Sequence, residues 1–151
     1  MGTQQFLNLV LPEEGGKIIA LATPTKNGGA WFRYKRYDNT EEASAAATAF
    51  DDEGETVYFA VNSFKDWYLD ESKNKKRIRT QENVHSCRSL YDDFDVGDDP
   101  KKYATRKEAL ADIIRIATVL KLTPTITSSG GGYHCYFSLD QDIDKKTWEE
   151  L

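Results

Sequence analysis

Two short stretches hold side chains whose types and spacing could do chemistry together. In LYDDFDVG, residues 90–97, strand alternation sends Asp93 and Asp95 to one face and Asp92 and Phe94 to the other. Neighbouring carboxylates repel and aspartate is disfavoured in strands, so the pair calls for positive charge between them. A divalent ion is the natural partner. Mg²⁺ and Mn²⁺ take hard oxygen ligands, commonly one or two carboxylates together with substrate phosphates and water. The plainer alternative is a strand end whose carboxylates are solvated at the following turn, GDD.

The second stretch is SSGGGYHCYF, residues 128–137. Gly130, Gly131 and Gly132 permit positive φ and close backbone approach, so their amides could form an anion-binding concavity, with Ser129 adding a hydroxyl donor. His134 alternates with Tyr133 and Cys135 and therefore points to the opposite face from both. Taken alone, the stretch reads equally as a hairpin turn followed by a core histidine. Its position one helix beyond Asp93 and Asp95 favours a shared face, with carboxylates on one side and amides plus imidazole on the other. A metal-bound nucleoside triphosphate needs that combination.

The elements that must position these residues follow from periodicity. GKIIALATP (residues 16–24) and AWFRYKRY (30–37) read as two strands joined by a turn at Asn27-Gly28. In the second, Trp31, Arg33 and Lys35 share one face, and Phe32, Tyr34 and Arg36 the other. Asn39 and Glu42 have capping-box spacing and open an alanine-rich helix that Gly54 closes. TVYFAVNSF (56–64) is apolar enough for a central strand covered on both faces. Residues 65–83 lack a clear period and read as a long basic loop. SCRSLYDDFDV (86–96) returns to strand, and Thr105 with Glu108 caps a helix whose apolar face is Leu110, Ile113, Ile114, Ala117 and Leu120. TPTITSS and YHCYFSL are two further strands, and DKKTWEEL opens a helix.

The predicted class is α+β. Residues 1–85 form an N-terminal α/β unit packed on an RNA-recognition-like (ferredoxin-like) unit, residues 86–151, which ends before its last strands.

With 151 residues, 39% of them hydrophobic, the chain can bury a true core, and disorder is excluded. No run of about 18 apolar residues and no signal-peptide pattern occurs, so the expected location is cytosolic, without a membrane partner. Cys87 and Cys135 lack CxxC spacing and read as buried free thiols. A net charge of −5 argues against indiscriminate coating of DNA. Basic charge is nevertheless concentrated locally, in RYKR (33–36) and in KNKKRIR (73–79).

With both motifs in order, FDVGDDPKKYATRKEAL, TPTITSSGGGYHCYFSLDQDI and TWEEL resemble the catalytic region of the archaeo-eukaryotic primase superfamily, especially the phage and plasmid primase-polymerases. Asp93-Phe94-Asp95 matches that family's D-x-D strand, and the run from Ser129 through Gly130, Gly131, Gly132 and Tyr133 to His134 matches its S-G-x-G-x-H motif. FLNLVLPEEG and VYFAVNSF extend the resemblance over nearly the whole chain.

The resemblance implies two-metal nucleotidyl transfer to a primer on a DNA template in replication, in the bacterial cytoplasm hosting the phage or plasmid. Asp93 and Asp95 would hold Mg²⁺ or Mn²⁺, and Ser129, the three glycines and His134 would bind the nucleoside triphosphate, with His134 among the catalytic residues. Lys73, Lys75, Lys76, Arg77 and Arg79 would contact single-stranded template. A replicative helicase domain, on this chain or another, is the implied partner. The family's third aspartate lies on a later strand. Residues 1–151 stop before it, and Asp140, Asp142 and Asp144 match a loop, so the expectation is an N-terminal fragment impaired in catalysis. A binding module that acts through a partner without catalysing is the alternative.

Overall fold

The computed structural model describes all residues, Met1–Leu151. The fold is α+β, with short helices set among antiparallel sheets. No helix is long and apolar enough to cross a membrane. The chain divides into two compact units: Met1–Arg88 with Asp140–Leu151, and Ser89–Leu139. The last twelve residues thus join the N-terminal unit, which the expected span of 86–151 placed with the other.

The first unit opens with helix α1 (Thr3–Val10), which no cap signal announced; Gln5 Oε1 accepts the Gly2 N–H at 3.1 Å. Strands β1 (Lys17–Pro24) and β2 (Ala30–Tyr37) form the expected hairpin, in which Gly28 takes φ +81°. Helix α2 (Thr40–Asp52) begins where Asn39 accepts the Glu42 N–H at 2.8 Å. The apolar run expected as one central strand is instead two short ones. β3 (Thr56–Phe59) is an edge of the β2-β1-β3 sheet, and β4 (Ser63–Phe64) pairs with the start of β7 (Val84–Asp95). The central position belongs to β1, whose Ile18, Ile19 and Leu21 are fully buried.

Residues 65–83 are also more ordered than their sequence suggests. β5 (Tyr68–Asp70) and β6 (Lys75–Arg77) form a hairpin around Asn74, which takes φ 47°. Asp70 anchors it, accepting from Ser72 Oγ at 2.6 Å and Arg77 at 2.9 Å; these bonds pull its carboxyl pKa down to about 2. Such an anchor from side chain to turn is invisible to periodicity.

Loop 11–16 of this unit is fastened from within. Buried Lys17 donates to the carbonyls of Glu13, Glu14 and Gly15 at 2.8, 3.2 and 2.8 Å, and burial lowers its pKa. Asp142, near the end of β9 (Gly132–Ile143), accepts the Glu14 N–H at 3.0 Å and lies 3.7 Å from Arg88, which also pairs with Glu13 at 2.8 Å. These bonds carry residues 140–143 into the first unit. Asp140 and Asp142 are therefore strand residues rather than loop residues, and Asp144 caps α4 (Lys145–Glu149).

The second unit consists of the end of β7, helix α3 (Arg106–Leu120), β8 (Thr125–Ser129) and the start of β9. Its strand order is β7-β9-β8, so the last strand inserts between the two that flank the helix. Thr105 accepts the Glu108 N–H at 3.2 Å as the helix cap, and Lys121 ends the helix at φ 56°. The core is Phe94, Ala109, Ile113, Cys135 and Phe137. Ile116 and Ala117 join it, whereas Ile114 is 57% exposed and Leu110 and Leu120 are exposed too. The buried stripe is thus turned from the expected one: small Ala109 lets α3 lie close to the sheet, and the bulkier neighbours are left outside.

Gly132 shows how closely β9 approaches β7. A Cβ there would collide with the Phe94 carbonyl oxygen and come within 3.0 Å of Asp95 Cα, whereas Gly130 faces open space. Gly132→Ala should cost about 1–3 kcal/mol in urea-induced unfolding by overpacking, and Gly130→Ala less than about 0.5 kcal/mol. Equal midpoints for the two variants would contradict this close approach.

Candidate functional site

The alternation that buries Phe94 and Cys135 beneath α3 turns Asp93, Asp95 and His134 the other way. Because β7 and β9 are neighbours, these side chains meet: His134 Nε2 lies 3.7 Å from Asp93 Oδ1. Around the imidazole, Tyr91 meets it edge to face at 6.2 Å between centroids and lies 5.4 Å from Tyr136. Burial raises the Tyr136 hydroxyl pKa to about 12, so that ring stays neutral.

The glycines occupy the β8–β9 turn. Ser129 pairs with Gly132, and Thr127 with His134, which puts Ser129, Thr127 and His134 on one face by register; Ser128 shares the other with Tyr133. The Cβ position at Gly131 is 3.8 Å from Asp95 Oδ1, so turn and carboxylate are adjacent. None of Gly130, Gly131 and Gly132 takes a positive φ. Only the expected close approach applies, at Gly132, and the Gly131 carbonyl is already engaged by the Val96 N–H at 2.7 Å.

The positive charge that the carboxylate pair called for comes in part from the protein itself. Lys102 Nζ is 3.3 Å from Asp95 Oδ2, with both side chains partly exposed. Arg106 clamps the turn from the opposite face. Its guanidinium donates to Ser128 Oγ at 3.1 Å and to the carbonyls of Ser129, Gly130 and Gly132 at 3.2, 3.4 and 3.4 Å, with the Tyr133 ring 5.2 Å away. Neither Lys102 nor Arg106 was singled out from sequence. A signal did exist for Arg106, since a cation in the first turn opposes the helix dipole and must find its partner elsewhere.

Asp93 and Asp95 are two hard-oxygen donors, which suits an ion held chiefly by phosphate and water. No group of three or more His, Cys, Asp or Glu side chains is gathered around them. A cation bound through Asp95 Oδ2 would compete with Lys102.

The basic residues 73–79 lie on the β5–β6 hairpin of the first unit. Arg77 is committed to Asp70 at 2.9 Å, whereas Lys73, Lys75, Lys76 and Arg79 are exposed and make no ion pair. Both thiols are buried, as expected, and burial pushes Cys135 up to about 11 and also raises Cys87.

If Arg106 holds the turn, Arg106→Ala should speed amide exchange at Val96 while costing about 1 kcal/mol or less of global stability, as befits an exposed cation. Arg106→Lys should not restore protection, because one ammonium cannot span four acceptors as the guanidinium fork does. Unchanged exchange in both variants would refute the clamp. No family model, curated protein or solved structure matches the chain, so any reading of its chemistry starts from these residues.

Proposed function

We propose that the chain is a nucleotidyl-transfer core of primase-polymerase type, which binds a metal-complexed nucleoside triphosphate at Asp93, Asp95, Ser129 and His134 and extends a primer on a DNA template. The observation that supports it is one sheet face carrying a carboxylate 3.7 Å from an imidazole, with a glycine turn beside the second carboxylate. On this reading Asp93 and Asp95 hold Mg²⁺ or Mn²⁺, and the ion supplies charge neutralisation at the phosphates. Ser129 donates its hydroxyl to a phosphate oxygen, and His134 donates from Nε2. Lys102, beside Asp95, adds positive potential on the side where the triphosphate's charge would sit, and Arg106 holds the glycine turn from behind. Genetic context in phage or plasmid replication, with a helicase partner, belongs to the same proposal.

The Lys102–Asp95 pair favours a second reading, in which the site binds nucleotide or nucleic acid without catalysing. A lysine that satisfies the carboxylate removes its need for metal.

Asp93→Ala and Asp95→Ala should each weaken metal-dependent triphosphate binding by more than about tenfold, roughly 1.4 kcal/mol, in equilibrium titrations with and without Mg²⁺. His134→Ala should weaken triphosphate binding with the melting transition preserved. Binding unchanged in both aspartate variants would remove the metal assignment, and loss of folding in His134→Ala would return the histidine to a core role. Primer extension separates the readings: the second predicts triphosphate binding with no extension.

A further inference from the structure

The first unit carries an exposed aromatic surface that the nucleotide site does not use. In the β2-β1-β3 sheet, Ala22 pairs with Phe32 and Ala20 with both Tyr34 and Tyr58, so the three rings share one face over a floor of alanines. Phe32 and Tyr34 lie parallel, at an interplanar angle of 6° and 6.3 Å between centroids, and Tyr58 meets Phe32 edge to face at 5.8 Å. Phe32 is 43% and Tyr58 52% exposed. Rings that only completed a core would not remain this open.

Charge decides what fits there. From Lys17 to Tyr37 the chain has five basic residues and no acidic one; Lys17 is held by carbonyls, Arg33 pairs with Glu55, Arg36 with Asp38 and Lys35 lies over Phe50, which leaves Lys26 uncommitted. Lys26, in the turn at one end of the ribbon, is exposed and makes no ion pair. Tyr34, midway along the ribbon, packs on the cluster that includes Ile78, which follows the basic β5–β6 hairpin. Lys75 and Lys76 of that hairpin are exposed and unpaired. An aromatic face with a free cation in the turn of its own ribbon and others on the hairpin that adjoins Tyr34 through Ile78 suits single strands: bases stack on the rings and phosphates meet the lysines. An acidic or purely apolar partner would not require both features.

We propose that Phe32, Tyr34 and Tyr58 form a base-stacking platform for single-stranded DNA, with Lys26, Lys75 and Lys76 contacting its phosphates. The choice of DNA rests on the template-directed reading above; the stacking surface does not. The basic residues of 73–79 thereby act as one flank of a longer track rather than as an isolated patch.

The test is fluorescence anisotropy of the full chain with a labelled oligo-dT over a salt series. Phe32→Leu and Tyr58→Leu should each weaken binding at least about fivefold, whereas Phe32→Trp should retain it, because stacking needs a π face and not merely apolar bulk. Lys75→Ala with Lys76→Ala should flatten the salt dependence. Metal-dependent triphosphate binding should be unchanged in all of these, and Asp93→Ala should leave oligo-dT binding intact, so failure of the nucleotide site and failure of the platform are separable. No oligo-dT binding by the parent chain, or equal binding by Phe32→Leu and Phe32→Trp, overturns the proposal. So does a concentration-dependent dimer, detected by sedimentation, that Phe32→Leu abolishes while oligo-dT binding stays unchanged.

Discussion

The close approach of β9 to β7 is the constraint on which the candidate site depends. With no side chain at Gly132, the first residues of β9 lie against the Phe94 carbonyl. From there the period of two does the rest: Phe94, Cys135 and Phe137 enter the core under α3, and Asp93 and His134 are forced onto the opposite face. A one-residue slip of either strand would bury a carboxylate or an imidazole and expose a core ring, at a cost far above that of any single contact. Core and candidate site are therefore held in register by the same strand pairing.

Electrostatics sharpens the picture. The chain is acidic overall, yet its cations are grouped locally. Lys102 and Arg106 gather at the D-x-D and glycine end of the second unit. The β1–β2 ribbon and the β5–β6 hairpin carry the positive charge of the first. Where a cation is needed for structure it is visibly committed, as Arg77 is to Asp70 and Lys17 to three carbonyls. Lys26, Lys75 and Lys76 are a different matter, because they are exposed and form no ion pair.

Much of this was legible from sequence because it rests on local rules. The caps at Asn39 and Thr105, the turn at Gly28 and the alternation through Asp93, Asp95 and His134 all depend on neighbours a few residues away. What sequence hid depends on partners distant along the chain. Residues 56–64 read as one central strand, but only pairing with β1 and β7 reveals two short edge pieces. Hydrophobicity favours Leu110 and Ile114 for the buried stripe of α3, whereas closeness to the sheet selects Ala109. The basic loop became a hairpin through the Asp70 anchor, and Arg106 gained its role only once the turn it holds had folded beside it. Of the two roles sequence allows the glycines, positive φ is not used, and close approach is needed at Gly132.

The central claim, that Asp93, Asp95, the glycine turn and His134 form one cation-dependent nucleotide site, is tested most directly by NMR. Mn²⁺ would be added at substoichiometric levels to ¹⁵N-labelled protein in the presence of a nucleoside triphosphate. The account predicts paramagnetic broadening confined to amides around Asp93–Val96 and Gly130–His134, lost on Asp93→Ala. Broadening centred elsewhere on the acidic surface, or none at these residues, would contradict it.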